Sequence, residues 1–337
     1  MRSLAIIPAL AVLLPIEVAA PSPARAWGEF GHLTVCDLAY RNFTPTTREV
    51  LKQLFNAPRG ITVNEDGRPR HYTSFNVGCL EEDERPRAHP SDHFINVPRD
   101  MAAITGPNCP LSPSSGQPVK CILSGIERDR AILKDTARSR QDRVIALMAI
   151  GHWVGDIHQP LHISFKDDTG GNAIGVRFSG KCGVGSTGNP YRPGSFHAVW
   201  DNCLLENGIF QRVRERADYS SNWSRRTITY RAVDTLNANT SATERRQWTQ
   251  SEPWQWAAES YAITKQPDVQ YCVMAGNSCQ YSSTDPVLAD GGTEKKVVID
   301  AAYLNQFKDV AGERVRKAGI RLAHIVNSAL DPAYSGF

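Results

Sequence analysis

Histidine and aspartate residues cluster in one block of this 337-residue sequence, and their spacing suits metal ligands. His152 and Asp156 are four residues apart, so on a helix both side chains project from one face about one turn apart. Two ligands placed in this way can hold one cation. His162 follows Pro160, where the chain leaves the helix and can turn back toward a second cation. Imidazole and carboxylate together suit zinc, and no thiolate is required.

A second pair with the same spacing, His197 and Asp201, lies further along the chain. A single histidine is more often a hydrogen-bonded core or surface residue than a ligand, and two such pairs can arise by chance. The helical placement of His152 and the nearby Pro-Leu-His favour a metal site. His158 lies two residues from Asp156, so it points elsewhere, and we expect it behind the ligands or exposed. We expect ordinary hydrogen-bonded or surface roles for His71, His89 and His324.

Four blocks of sequence together carry a family resemblance. They are Trp27-Gly28-Glu29-Phe30-Gly31-His32, the stretch Gly-Asp-Ile-His-Gln-Pro-Leu-His at 155–162, Gly170-Gly171-Asn172, and His197-Ala198-Val199-Trp200-Asp201. They resemble the trinuclear-zinc, single-strand-specific nucleases of the S-one/P-one type, also called type I nucleases or 3′-nucleotidases. Each block alone is a weak signal, but the combination is highly specific. Beyond about residue 205 only a helical pattern is recognisable.

The resemblance implies three zinc ions and a role for each matching residue. The implied ligands are the α-amino group and carbonyl of Trp27 with His32 at one zinc, His93 and His152 at a second, His162, His197 and Asp201 at the third, and Asp156 bridging the first two. An N-terminal amine has a low enough pKa to lose its proton and coordinate a metal.

One further carboxylate ligand is less clearly marked. The family usually shows Trp-Ala-Asp at this point, whereas this chain reads Cys-Leu-Glu-Glu-Asp-Glu-Arg at 79–85. We predict Asp83 as the ligand, with Glu82 as the alternative; the acidic run can equally be a solvated loop. By the same resemblance Asp83 is the predicted catalytic residue, which orients the nucleophile or accepts its proton.

Three residues match substrate contacts of the family. Phe94 matches a residue that stacks on a nucleobase, Asn96 matches a polar residue that binds the base edge, and Asn172 matches a residue that lines the site. Stacking accepts any base and requires an unstacked strand, which gives single-strand preference. Without the resemblance, Phe94 reads as a buried residue and Asn172 as a turn residue after two glycines.

The predicted function is hydrolysis of phosphodiester bonds in single-stranded DNA and RNA to 5′-phosphorylated products, with 3′-nucleotidase activity as well. Zinc-dependent phospholipase C is the nearest alternative, since it shares the fold and the three zincs. That family generally closes its last site with Glu, whereas this chain has Asp201. A secreted zinc-binding protein without turnover is the other alternative.

Residues 1–26 read as a secretory signal peptide, which leaves 27–337 as a single zinc-dependent nuclease domain. Arg2 precedes an apolar run from Leu4 to Leu14, and Ala24-Arg25-Ala26 provides small residues where a signal peptidase needs them. A membrane anchor is the alternative, but the apolar run is short. Cleavage after Ala26 would free the amine of Trp27. We therefore predict a secreted or periplasmic monomer without a membrane partner.

The eight cysteines agree with export, because an even count in an exported chain favours disulfides. About 105 pairings are possible. Short loops suggest the pairs Cys109–Cys121, Cys182–Cys203 and Cys272–Cys279, which leaves Cys36 with Cys79.

The elements that must position these residues are mainly helices. Apolar spacing predicts helices over Thr46–Phe55, Ile122–Ala137 and Asp142–Ile157, and one long helix near the C-terminus with weak points at Gly312 and Gly319. Asn172–Phe178 alternates as a short strand. We expect one all-α domain with a small β-hairpin. A net charge of +3 excludes a histone-like polycation, and 41% apolar residues are enough for a substantial core.

Overall fold

The computed structural model describes residues 27–64, 68–84, 89–112, 115–180, 182–184, 190–269, 273–275, 278–280, 288–289 and 294–337. The predicted signal peptide lies outside these residues. The helices are α1 Glu29–Arg41, α2 Pro45–Leu54, α3 Phe75–Gly78, α4 Glu81–Glu84, α5 Ile122–Lys134, α6 Arg140–Asp156, α7 Phe196–Ala198, α8 Gln211–Arg214, α9 Arg225–Ala238, α10 Ala242–Trp248, α11 Pro253–Thr264 and α12 Ala301–Leu330. Single 3-10 turns cover Pro160–His162 and Pro267–Val269, and π-helical turns cover Val199–Cys203 and Glu206–Phe210.

The strands are short and lie between the helices. They are β1 Ile61–Val63, β2 Arg70–Tyr72, β3 Ile95–Val97, β4 Ile163–Phe165, β5 Ile174–Phe178, β6 Cys182–Val184, β7 Pro190–Tyr191, β8 Val273–Ala275, β9 Ser278–Gln280, β10 Leu288–Ala289 and β11 Glu294–Ile299. The described chain is mainly helical, which confirms the predicted fold class.

Helix α6 is the central element of the protein. Ser139 caps its start, since its side chain accepts a hydrogen bond from the N–H of Asp142, and Pro160 prevents its continuation. Every residue from Ala146 to Asp156 is buried, because α1, α5 and α12 pack around it. The polar residues at its C-terminal end are therefore inside the protein.

The predicted helices are confirmed, with boundaries that shift by one to three residues. The long C-terminal helix is α12, which Asp300 caps by accepting from the N–H of Tyr303. Gly319 does not interrupt it, contrary to our expectation of a weak point. A Cβ at Gly319 would lie 2.7 Å from Leu38 Cγ, so glycine is needed there for the close approach of α1.

Two strand pairs are parallel and join distant segments. Ile95 of β3 lies opposite Ile163 of β4, so His93 and His162 enter this pair from the same end. The predicted strand at Asn172–Phe178 is β5, which pairs in parallel with β11. The expected hairpin is represented by antiparallel pairs such as β1 with β2.

Three predicted disulfides are present: Cys36–Cys79, Cys109–Cys121 and Cys182–Cys203. The predicted partner of Cys279 is Cys272, which lies outside the described residues. Among the helices described, none is long and apolar enough to cross a membrane.

Candidate metal centre

The C-terminal end of α6 brings His152 and Asp156 against α1. Asp156 Oδ1 lies 3.2 Å from His32 Nε2, and Asp156 Oδ2 lies 3.0 Å from His93 Nδ1. The two oxygens of one buried carboxylate thus face histidines from different parts of the chain. The His32 and His152 rings stack with centroids 3.9 Å apart.

Gly155 makes the contact between α1 and α6 possible. A Cβ at this position would lie 2.8 Å from His32 Nδ1 and 3.8 Å from Trp27 Cδ1. Gly155 is part of the stretch 155–162 that resembles the family, but the sequence alone gave no reason for a glycine at this position. In the structure the missing side chain makes room for the His32 ring.

Three groups of side chains have ligand atoms within 4.8 Å of one another. They are His32 with His152 and Asp156; Asp83 with His93 and His152; and His162 with His197 and Asp201. His152 belongs to two groups, and Asp156 also lies 3.8 Å from His162 Nδ1. The three groups are therefore neighbours in one buried cluster, which we call the metal centre.

Backbone carbonyls fix the ring nitrogens of three histidines. Nδ1 of His152 lies 2.8 Å from the Cys79 carbonyl, Nδ1 of His162 lies 2.6 Å from the His93 carbonyl, and Nδ1 of His197 lies 2.6 Å from the Gly170 carbonyl. A carbonyl only accepts, so each Nδ1 carries the proton and each Nε2 presents its lone pair.

The lone pairs of His162 and His197 point at each other. Their Nε2 atoms are 3.1 Å apart. Because both Nδ1 atoms donate to carbonyls, neither Nε2 has a proton to share in the neutral rings. A cation between the two nitrogens satisfies both, which is the arrangement of histidine ligands around zinc.

Burial keeps His32 ready to bind a cation. Burial lowers the pKa of His32 well below its usual value, and the charges of His152 and His162 lower it further. Both ring nitrogens of His32 are buried and neither makes a hydrogen bond, even though Nε2 lies 3.2 Å from Asp156. A neutral, buried imidazole without a hydrogen bond fits a metal ligand.

Gly170 aims the carbonyl that orients His197. Its φ of +67° is in the left-handed region, and a Cβ there would lie 2.6 Å from the Leu161 carbonyl oxygen. Only glycine adopts this conformation without strain. The sequence showed Gly170 as part of a motif but did not reveal that its carbonyl orients His197. The signal was the pair Gly170-Gly171, because two adjacent glycines often mark backbone with positive φ.

Gln159 is a second residue that sequence reasoning missed. It is buried, and its Nε2 donates to Asp201 Oδ1 over 2.7 Å. Its Oε1 accepts from the N–H of Leu161 over 2.5 Å, which holds the amide in this orientation. Gln159 therefore orients the carboxylate of Asp201. Its place directly before Pro160 gave no hint of this contact.

The two candidate acidic ligands have different surroundings. Asp83 Oδ1 lies 3.8 Å from His152 Nε2, inside the metal centre. Glu82 is buried with its Oε2 3.4 Å from Nδ1 of His89, outside the three groups. The hydrogen bond from His89 to Glu82 raises the pKa of His89.

Trp27 is fully buried beside this cluster, and the N–H of Gly28 donates to the Asp201 carbonyl over 3.0 Å. The first described residues are thereby tied to the segment that supplies a ligand to the third group. The sequence profile of the S1/P1 Nuclease family matches residues 27–331 of this chain.

The chain belongs to the S1/P1 nuclease family.

Curated relatives of this S1/P1 nuclease are endonucleases. Endonuclease 2 of Arabidopsis thaliana is 25% identical over 318 residues, 92% of each chain. Nuclease S1 of Aspergillus oryzae is 25% identical over 328 residues, 92% of this chain and 95% of the relative. Endonuclease 4 of Arabidopsis thaliana is 27% identical over 192 residues, 55% of this chain and 58% of the relative. The protein is thus a nuclease, a hydrolase of phosphodiester bonds, which confirms the predicted class. The family is generally zinc-dependent, and the donor set described above fits zinc.

The predicted substrate residues of this S1/P1 nuclease lie in different settings. Phe94 and Asn96 follow His93 at the start of β3 and are partly buried; Asn96 Oδ1 accepts no hydrogen bond. Asn172 is exposed, and its Nδ2 donates to the Thr169 carbonyl over 2.9 Å. Phe94 and Asn96 are adjacent to a group of candidate ligands, whereas Asn172 stabilises its own turn.

His158 lies on the opposite side of the turn that follows α6. It points away from the candidate ligands, as expected; of the two placements expected for it, the exposed one is wrong, because His158 is buried and faces α12. Its Nδ1 donates to the Val154 carbonyl over 2.8 Å, and its Nε2 accepts from Arg321 over 2.9 Å. Glu259 bonds both Arg314 and Arg321 beside it. We call these four residues the guanidinium cluster.

Proposed function

We propose that this S1/P1 nuclease is an endonuclease that cuts single-stranded DNA and RNA to 5′-phosphorylated products and also removes 3′-phosphates from nucleotides. The observation that supports it best is the metal centre, in which three groups of histidine and aspartate ligands share one buried cluster. Phosphodiester cleavage needs positive charge on both the attacked phosphate and the leaving oxygen.

Three zinc ions per chain are part of this proposal. We assign Trp27, His32 and Asp156 to the first zinc ion. We assign Asp83, His93, His152 and Asp156 to the second zinc ion, and His162, His197 and Asp201 to the third. The support is that Asp156 turns one oxygen to His32 and the other to His93, as a bridging carboxylate must.

The chemistry that zinc would supply here is Lewis acidity, which polarises the phosphate and lowers the pKa of water. The chain's own residues provide orientation. His152, His162 and His197 are held by carbonyls, so their lone pairs need no reorganisation. Asp83 lies at the edge of the centre and would orient the attacking water and accept its proton.

Preference for single strands would come from Phe94, with Asn96 contacting the base edge. A ring that stacks on a base requires the base to be unstacked from its neighbours. Asn172 remains a predicted contact on the rim. The partial exposure of Asn96, two residues after the candidate ligand His93, supports a polar contact with substrate.

We also propose that the functional chain starts at Trp27 after removal of residues 1–26, that it is secreted or periplasmic, and that it acts as a monomer. Three disulfides support an oxidising compartment. The family match begins at residue 27, and Trp27 is buried next to His32.

The test combines zinc content per chain with hydrolysis of single-stranded DNA, single-stranded RNA and duplex DNA. We expect three zinc ions, faster cleavage of the single strands and 5′-phosphate ends. Release of phosphocholine from lipid with intact nucleic acids would instead identify a phospholipase C.

A second test concerns the N-terminus. One extra residue before Trp27, verified by mass spectrometry, should lower zinc content and remove most of the activity. One extra residue after Phe337 is the matched control and should change neither. Full activity of the N-terminally extended chain would exclude the amine of Trp27 as a ligand.

A further inference from the structure

A separate cavity of about 700 Å³ lies between α1, α2 and α9. Its walls carry two tyrosine–arginine pairs, Tyr40 with Arg48 and Tyr230 with Arg226. We call it the tyrosine–arginine pocket. None of its lining residues belongs to the three ligand groups of the metal centre.

Arg48 and Arg226 each lie over the tyrosine ring of their pair. Arg48 Cζ lies 5.4 Å from the centroid of the Tyr40 ring, and Arg226 Cζ lies 5.4 Å from the centroid of the Tyr230 ring. The Nε of Arg226 also donates to the Tyr230 hydroxyl over 2.9 Å. Tyr40 keeps 38% of its surface exposed, so part of this side chain is accessible to solvent.

The other charges of the pocket are largely paired. Arg41 contacts Asp234 at 2.9 Å and Asp37 at 3.9 Å, and Lys52 contacts Glu49 at 3.0 Å. Across the described part of the chain, no carboxylate forms an ion pair with Arg48 or Arg226. These two guanidinium groups therefore give the pocket its attraction for an anion.

Asp37 lines the same cavity and is 5% exposed. Its buried Oδ2 makes no hydrogen bond to the described residues. Burial raises the pKa of this carboxyl to about 6, although Arg41 opposes the shift. The wall of the cavity therefore carries one buried acidic group beside its guanidinium groups.

We propose that the tyrosine–arginine pocket binds one nucleotide unit of a single-stranded nucleic acid at a distance from the metal centre. The base stacks on the ring of Tyr40 or Tyr230, and Arg48 and Arg226 contact phosphate. Aromatic faces beside guanidinium groups are the combination that single strands require, because every base has a π-face and every linkage is an anion. The inference rests on the proposed function, which makes single strands the substrate.

Helix α1 connects this pocket to the metal centre. His32 and Tyr40 are both in α1, and the eight residues between their positions correspond to a rise of about 12 Å. We expect a strand of several nucleotides, but not a dinucleotide, to contact both places. The pocket should therefore raise the affinity for long strands without changing the chemical step.

The test compares the wild-type holoenzyme with Arg226→Gln, Tyr40→Ala and the double variant Arg48→Gln/Arg226→Gln. We expect the KM for a 30-nucleotide single strand to rise about tenfold in the double variant. Its kcat and the kcat/KM for a dinucleotide should stay unchanged. The slope of log affinity against log salt concentration is negative, and loss of two phosphate contacts should make it less steep by about 1.4.

The matched control is Arg212→Gln/Arg216→Gln, which removes two exposed, ion-paired arginines outside the pocket. An equal rise of KM in this control would show a general charge effect and overturn the proposal. So would an unchanged KM in the double variant when thermal unfolding shows that it is folded. Arg226 is exposed, so Arg226→Gln provides a variant with little risk of misfolding.

Binding separates this proposal from the proposed function. Fluorescence anisotropy of a labelled 12-nucleotide strand with hydrolysis-resistant linkages should show weaker binding to the double variant. We expect a 5′-mononucleotide to displace the labelled strand, and inorganic phosphate at the same concentration to leave it bound. Equal displacement by both would mean a plain anion site and would overturn the inference. If the wild type cleaves no nucleic acid, the proposed function fails, while the anisotropy result still reports on the pocket.

Discussion

The metal centre and the guanidinium cluster are two buried polar clusters on opposite sides of the turn that follows α6. In the first, Asp156 faces the imidazoles of His32, His93 and His152. In the second, Glu259 faces the guanidinium groups of Arg314 and Arg321, and His158 accepts from Arg321. Both contain histidine and carboxylate, and both take at least one histidine from the stretch 152–162.

The difference is the origin of the positive charge. Burial raises the energy of a charged Glu259, but hydrogen bonds and charges from Arg321 and Arg314 outweigh it and hold the pKa of Glu259 at about 2. In the metal centre, burial keeps the His32 imidazole neutral. In the guanidinium cluster the positive charge comes from Arg314 and Arg321. In the metal centre the histidines are neutral ligands, so an added metal ion would be stabilised by the Asp156 carboxylate and by imidazole lone pairs. Burial of polar groups alone therefore does not mark a functional site.

Replacing the shared carboxylate should have the largest effect on activity. In Asp156→Asn, the bridging charge between two ligand groups is lost, so we expect lower zinc content and a loss of activity of about 10³-fold or more. Zinc content and hydrolysis of single-stranded DNA measure this. Asp135→Asn, which changes a half-exposed aspartate directly after the end of α5, is the control. Unchanged zinc content in Asp156→Asn would show that the two clusters do not differ as we argue.

Replacing the carboxylate of the other cluster should affect stability instead. Glu259→Gln leaves Arg314 and Arg321 buried without their counter-ion, so we expect about 3 kcal/mol less stability at pH 7, with zinc content unchanged. The contribution of the lowered pKa is complete above the unfolded value of 4.5 and is lost as the pH falls through about 2. Urea unfolding of wild type and variant at pH 7 and pH 3 should therefore show a smaller difference at pH 3.

Glu313→Gln is the control for that experiment, because Glu313 is 54% exposed and pairs with Lys317. We expect a change below about 0.5 kcal/mol. If Glu259→Gln has the same free energy of unfolding as this control, the guanidinium cluster does not stabilise the fold as we argue.

Changing the support of a ligand should have an intermediate effect. Gly170→Ala introduces a Cβ next to the Leu161 carbonyl and displaces the carbonyl that orients His197. We expect a loss of about 10- to 100-fold in zinc affinity or activity. Gly116→Ala has a similar φ of +66° but open space around the Cβ. Equal losses in both variants would mean backbone strain in general and not the orientation of His197.

The smallest effect should come from His158→Gln. Burial and the charges of Arg314 and Arg321 lower the pKa of His158, so it is a neutral hydrogen-bonding residue. We expect a loss of about 1 kcal/mol of stability and nearly full activity. His152→Gln, six residues earlier, should remove most activity because His152 belongs to two ligand groups. Similar activities of the two variants would contradict the distinction between the clusters.

Much of the fold and the residues of the metal centre could be predicted from the sequence. Apolar periodicity revealed α2, α5, α6 and α12, because each places one stripe or its whole surface in the core. The structure brings together His32, Asp83, His93, His152, Asp156, His162, His197 and Asp201, which are residues that the sequence analysis proposed as ligands.

What could not be predicted depends on contacts between distant residues. Glu259 and Arg314 are 55 positions apart, and no local pattern links them. The pairing of β5 with β11 likewise joins residues more than 100 positions apart. The roles of Gly155, Gly170 and Gln159 depend on the shape of the space around them. Spacing shows which residues can share a face, but not what lies opposite that face.

The Cys36–Cys79 disulfide makes one covalent ring of the chain between these residues, with a sequence separation of 43. The disulfide packs against α6, since a Cβ at Gly151 would be 2.4 Å from the Cys79 sulfur. The Cys79 carbonyl also accepts the hydrogen bond of His152 Nδ1. The ring also contains three of the elements that line the tyrosine–arginine pocket. Ring closure removes about 4 kcal/mol of conformational entropy from the unfolded chain. We therefore expect reduction of this disulfide to weaken both the support of His152 and the walls of the tyrosine–arginine pocket.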